Sequence, residues 1–130
     1  MMVIRHLGAG DIAYCAQELG CKEKDLFESL ARPKPLFERP LFYLVYDEAT
    51  GRNMGAFSFS SIDYKNKHLV LLASNREPEF LKLAANYAFL QLNMNKVYLF
   101  ASSKIEGLKT EGFLRSFPQG VYVYSMSRDQ

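Results

Sequence analysis

The chain has no tryptophan, two cysteines, two histidines and almost no surplus charge, and each shortage removes a class of function. Cys15 and Cys21 lie six positions apart, a spacing that fits neither a CxxC redox pair nor a zinc knuckle, so both are expected to be free thiols. His6 and His68 stand alone in sequence with no second ligand type at metal-site spacing. Sixteen basic residues face 14 acidic ones, and a net charge of +2 without a basic cluster gives no case for a nucleic-acid partner. The longest apolar runs, such as Leu69 to Ala73, are of strand length and too short to span a bilayer. Met1 to Leu7 lacks the charged start and long apolar stretch of a signal peptide, so a cytoplasmic location is the expectation, with no membrane partner.

What is present is apolar residues and aromatics. The 130 residues are 48% hydrophobic and 14% aromatic, enough to build one ordinary domain without disulfides or metals. No linker or repeat divides residues 1–130, so one domain is expected.

The pattern of apolar positions predicts the elements. Met2 to Leu7 is β-like, and Asp11 suits the N-cap of a helix from Ile12 to Leu19 that stops at Gly20. A second short helix, from about Glu23 to Leu30, places Leu26, Phe27 and Leu30 on one side. Arg32 to Pro40 holds three prolines and reads as a loop. Three antiparallel strands follow, at Leu41 to Tyr46, Met54 to Ile62 and His68 to Ala73, with polar turns between them. In the second of these, Ala56, Ser58 and Ser60 alternate with Phe57, Phe59 and Ser61. From Glu77 to Leu92 the period becomes helical, with Leu81, Ala84, Ala85, Ala88 and Leu92 on one stripe. Val97 to Ala101 returns to strand, so the third strand, this helix and the new strand form a βαβ unit with parallel strands. A short helix from about Ser103 to Glu111 is expected next. A hairpin of Phe113 to Phe117 and Val121 to Ser127 around Pro118-Gln119-Gly120 then ends the chain.

This order resembles the GNAT superfamily of N-acetyltransferases. YDEATGRNMGAFSFSSIDYKNKHLVLL is similar to the family's three-strand meander, and LKLAANYAFLQLNMNKVYL to its main helix and following strand. EGF at Glu111 to Phe113 stands where the family often has GF. The resemblance implies an α/β fold of the α+β type: a mixed, mostly antiparallel sheet with a central parallel strand pair and flanking helices. It also implies an acetyl-CoA site. In the family, pantetheine pairs with the strand before the main helix and the diphosphate rests on backbone N–H groups of a glycine-containing loop at that helix's start. By resemblance the positions are Leu71, Leu72 and Ala73 on the strand, with Asn75 and Arg76 beside the phosphates.

The residues at that loop depart from the pattern. Ser74-Asn75-Arg76-Glu77-Pro78-Glu79-Phe80 contains no glycine. Pro78 deletes one N–H donor, and Glu77 and Glu79 place two carboxylates where a diphosphate would lie. Ser74 or Asn75 is expected to cap the helix instead. The family's tyrosine acid falls on Leu108, which has no proton to give, and the family's asparagine falls on Ser102-Ser103-Lys104. Tyr98, Tyr122 and Tyr124 are the tyrosines from which a substitute would come. The expectation is therefore a degenerate acetyl-CoA site with a binding or assembly role. By resemblance to phage-encoded relatives, head assembly is one such role, and an active N-acetyltransferase acting on an amine is the alternative. A protein partner or a second copy is expected on the C-terminal strand, read as an edge with Tyr122, Tyr124 and Met126 alternating along it.

Overall fold

A computed structural model describes residues 1–31, 41–108, 110–114 and 120–128. Strand β1 (Met2–His6) leads through a 3₁₀ turn (Ala9–Asp11) into helices α1 (Ile12–Leu19) and α2 (Glu23–Ala31). Strands β2 (Leu41–Asp47), β3 (Asn53–Asp63) and β4 (His68–Ala73) form the meander, and helix α3 (Pro78–Gln91) crosses to β5 (Lys96–Ala101). Strands β6 (Thr110–Leu114) and β7 (Val121–Ser127) complete one seven-stranded sheet in the order β1-β2-β3-β4-β5-β7-β6. Every neighbouring pair is antiparallel except β4 with β5, which is parallel as the crossover helix requires. The expected loop Arg32 to Pro40 lies outside the described residues, as do Arg115 to Gln119 of the expected hairpin.

Both faces of the sheet are covered, so the alternating residues of β3 are buried in both directions. Phe57 and Phe59 join Tyr43, Val45, Leu69, Leu71, Leu99 and Tyr124 under α3, which contributes Phe80, Leu81, Ala84, Ala85 and Ala88. Ala56 and Leu44 point the other way, onto Cys15, Ala16 and Leu26 of α1 and α2. A bulge between Ser60 and Asp63, with Ser61 at φ 50°, resets the alternation and turns Ile62 onto the α3 face.

Helix α1 ends at Gly20, whose φ of 71° brings the Cys21 N–H onto the Ala16 carbonyl at 3.0 Å. Asp11 stands at the N-cap, yet its carboxylate does not cap α1. It accepts two bonds from Arg5, at 2.6 and 2.8 Å, and one from the Gly8 N–H. Phe27, expected beside Leu26 in a packed stripe, is 59% exposed, while Leu26 is buried.

Two expectations about the end of the chain are corrected. No helix forms between Ser103 and Leu108, where the backbone runs in turns and bends before β6 begins at Thr110. Strand β7 is not an edge: it pairs with β5 from Lys96↔Ser127 to Ala101↔Tyr122 and with β6 on its other side. The terminal segment inserts between β5 and β6, so β6 occupies the edge. Tyr124 is fully buried rather than displayed.

Candidate functional site

The site is built by two parallel strands that part company. β4 and β5 are paired from His68↔Lys96 to Leu71↔Leu99 and no further. Beyond that point β4 stays on β3 through Leu72↔Ser58 and Ala73↔Phe57, while β5 stays on β7 through Phe100↔Val123 and Ala101↔Tyr122. Among the described residues, the edge of Leu72–Ala73 that faces β5 therefore has no strand partner.

Each strand end is fastened away from the gap. The Ser74 N–H donates to the Ala56 carbonyl at 2.9 Å, and the Ala56 N–H donates to Ser74 Oγ at 2.9 Å, which holds the end of β4 to β3. Gly55 makes this approach feasible. Its φ is 146°, and a Cβ there would lie 2.8 Å from Ser74 Oγ and 3.1 Å from the Phe80 ring. On the far side, the Ile105 N–H donates to the Tyr124 hydroxyl at 2.7 Å and draws the chain after β5 toward β7. Gly107, at φ 85°, then brings that chain against Pro78, so closely that a Cβ would sit 3.4 Å from Pro78 Cγ.

Helix α3 meets the chain after β5 at Pro78, in its first turn. Of the four backbone groups that precede its intrahelical ladder, Pro78 has no N–H and the Glu77 N–H is taken by Asn75 Oδ1 at 2.9 Å. Glu79 and Phe80 keep the remaining donors, without a side-chain cap. Asn75 is engaged at its other end too, its Nδ2 donating to the Met54 carbonyl at 3.1 Å. It braces the loop to β3 and does not reach the second or third helical N–H as a true cap would. Ser74 is likewise spent on β3. Arg76 is exposed and has no hydrogen bond or ion pair among the described residues. A cavity of about 360 Å³ opens beside this turn, lined by Met2, Met54, Asn75, Pro78 and Phe80 with the two carboxylates of Glu77 and Glu79.

The positions taken from the family thus fall into separate settings. Leu71 is buried inside the β4–β5 ladder, Leu72 is 45% exposed on the face away from α3, and Ala73 is buried at the unpaired edge. Only Leu72 and Ala73 share the gap. Leu108 is a packing residue of the α3-side core. Among the tyrosines, Tyr124 has its hydroxyl on Ile105. Tyr98 stands near the closed end of the β4–β5 pair, against His68 and under the Lys96 ammonium. Tyr122 is partly buried beside Tyr124, their ring centroids 6.4 Å apart. A second cavity of about 410 Å³ lies along α3 where the expected short helix is missing. It is bounded by Lys82, Asn86, Phe89, Gly107, Leu108 and Met126. The contact of Gly107 with Pro78 and the tie of Ile105 to Tyr124 were not readable from sequence, because each joins segments about 20 to 30 positions apart.

Acetyl-CoA can be tested against this geometry in two parts. The unpaired β4 edge suits an amide-bearing arm, which pairs with backbone and needs no particular side chain. At the α3 turn, where a diphosphate would need N–H donors, two of the four groups offer none and two carboxylates stand beside the others.

No protein-family model matches the sequence, and no curated protein matches it by sequence. Solved structures do match in shape. A mutant form of the spermidine/spermine N-acetyltransferase SpeG from Vibrio cholerae aligns over 99% of this chain and 96% of its own, with 15% identity and a TM-score of 0.72. A chimera of the V. cholerae spermidine N-acetyltransferase SpeG and hSSAT aligns over 98% and 96%, with 17% identity and a TM-score of 0.73. The V. cholerae spermidine N-acetyltransferase in complex with CoA and spermine aligns over 98% and 96%, with 17% identity and a TM-score of 0.66. The parallel β4–β5 pair, the crossover helix and the shape match agree: the chain has the fold of the GNAT N-acetyltransferases.

Proposed function

We propose that this chain is a GNAT-fold binding protein that keeps the parted strands of an acyl-carrier cleft but has lost the grip on the CoA diphosphate. Acetyl transfer from acetyl-CoA is then weak or absent. The observation that carries this reading is the first turn of α3. Asn75 occupies the Glu77 N–H, Pro78 has none, and Glu77 and Glu79 set two negative charges beside the two donors that remain. A diphosphate placed there meets repulsion where the helix dipole would otherwise attract it.

The cleft itself supports a carrier or peptide that binds by backbone pairing at Leu72–Ala73. Assembly belongs to the same reading. One similar structure is a dodecameric form of the V. cholerae spermidine N-acetyltransferase, and the C-terminal hairpin of this chain ends its sheet on the open edge of β6. Head assembly in phage is one form such a role takes, and its support is the family resemblance.

The second reading is an active N-acetyltransferase moving acetyl from acetyl-CoA to an amine. The unpaired β4 edge favours it, and so does the likeness to a structure holding CoA and spermine. A thermal-shift titration separates the two. A ligand at 100 times its Kd stabilises a protein by about 2.7 kcal/mol. Millimolar acetyl-CoA is expected to leave the melting temperature unchanged. A strong, saturable shift would put the acetyltransferase first.

A further inference from the structure

The face of the sheet away from α3 carries a cavity that the cleft does not use. It measures about 250 Å³ and lies between the α1–α2 turn and strands β2, β3 and β4. Leu19, Leu26, Phe42 and Leu72 form apolar walls, and the polar lining is Cys21, Asp25, Ser58 and Ser60. Two of these groups are placed for chemistry. Cys21 is a free, exposed thiol held at the turn by the Gly20 cap, whereas Cys15 is fully buried. Ser58 is only 5% exposed, and among the described residues its hydroxyl has no hydrogen-bond partner. No buried side-chain oxygen or nitrogen is left unpaired among the described residues, so the Ser58 oxygen is reached through the cavity and is open to a group brought into it.

We infer that this cavity is an acyl-acceptor site in which Cys21 takes a short acyl group from a neutral thioester and the Ser58 hydroxyl binds the acyl carbonyl oxygen. The apolar walls suit an alkyl chain. The Ser58 hydroxyl suits a carbonyl. Leu72 joins the cavity to the unpaired edge of β4, along which a carrier's amide arm would lie. This last point rests on the cleft reading above; the thiol, the hydroxyl and the walls do not. Among the described residues no Lys or Arg lines the cavity, and the Asp25 carboxylate disfavours a carrier bearing phosphates.

The step is a thioester exchange. The Cys21 thiolate attacks the thioester carbonyl carbon and a new carbon–sulfur bond forms. The Ser58 hydroxyl donates to the oxygen as negative charge develops on it. The original carbon–sulfur bond then breaks, and the departing thiolate takes up the proton that Cys21 released. No oxidant or reductant is involved.

The test uses the full chain and S-acetyl-N-acetylcysteamine, a thioester with no phosphate, followed by intact-mass and peptide mass spectrometry. One hydroxylamine-labile acetyl group is expected. It should be lost in Cys21→Ser and retained in Cys15→Ser. Ser58→Ala should slow acetylation by roughly tenfold or more. The same variant should leave alkylation of Cys21 by iodoacetamide unchanged, since that substitution develops no oxyanion; a merely structural role of Ser58 would alter both. Acetyl groups confined to lysines or the N-terminus would overturn the assignment, as would acetylation no faster than that of free cysteine at the same pH. The acetyl-CoA titration reads the diphosphate site instead, so a failure there and a failure here are separate results.

Discussion

The Tyr124 hydroxyl accepts the Ile105 N–H at 2.7 Å in the interior of the α3-side core. This bond joins β7 to the chain leaving β5 at the level where β4 and β5 separate, so it acts on both the core and the cleft. Phenylalanine in place of Tyr124 would keep the ring and leave a buried N–H unpaired. Tyr124→Phe is expected to cost about 1–3 kcal/mol, read from the urea midpoint at an unchanged m-value. A loss below about 0.3 kcal/mol would show that water or another acceptor replaces the hydroxyl.

Gly55 lets the end of β4 lie close against β3. Any side chain there must adopt a φ of 146° and push on Ser74 Oγ and the Phe80 ring. Gly55→Ala should therefore destabilise by roughly 1–3 kcal/mol, through strain and displacement of the two Ser74–Ala56 bonds. Gly51→Ala is the control. It shares a positive φ of 72° but has no neighbour within 4 Å of the added methyl, so its loss should be distinctly smaller.

How much of this was readable in the sequence follows from the range of each interaction. The helical stripe of Leu81, Ala84, Ala85 and Ala88 and the strand His68–Ala73 were legible because their burial repeats with the local period. The parallel β4–β5 pair followed from the crossover. The place of β7 did not, since nothing in Val121–Ser127 distinguishes a strand flanked on both sides from an apolar edge. The missing helix after β5 has a physical reason in part: the positive φ of Gly107 and the tie of Ile105 to Tyr124 commit the backbone to turns. At the candidate site, the loss of donors at Pro78 was visible in one residue. The use of Asn75 to bridge Glu77 and Met54 was not, because Met54 is 21 positions away.

The Arg5–Asp11 pair gives a pH dependence with a definite sign. The Arg5 guanidinium, and after it the Gly8 N–H, hold the Asp11 carboxyl below the usual carboxylate range. A carboxylate depressed in the folded state contributes stability above its unfolded value, about 3.9, and that contribution is lost as pH falls through the lower folded value. Arg5 is 40% exposed, so solvent screening limits the pair to no more than about 1 kcal/mol. Urea midpoints measured at neutral pH and near pH 3 should fall less for Asp11→Asn than for the natural chain. Asp47 and Asp63 are depressed in the same direction, which makes the difference between the two proteins, not the fall itself, the informative quantity. Equal falls in both would remove Asp11 from the account.

The first turn of α3 offers a gain-of-binding test. Glu77→Gly, Pro78→Lys and Glu79→Gly together remove two carboxylates, restore one N–H and let an anion approach the backbone. The Leu81 N–H bond to the Glu77 carbonyl is a backbone bond, so the helix keeps its start. Glycine costs up to about 1 kcal/mol in a helix interior and less at its end, and the variant should melt below the natural chain without ligand. Against its own ligand-free baseline, it should show a larger acetyl-CoA shift than the natural protein does. The added affinity should weaken with salt, since it comes from charge at an exposed site. If the variant folds and gains no shift, the turn is not what excludes the diphosphate. The contact between Gly107 and Pro78, which narrows the same opening, then becomes the next position to change.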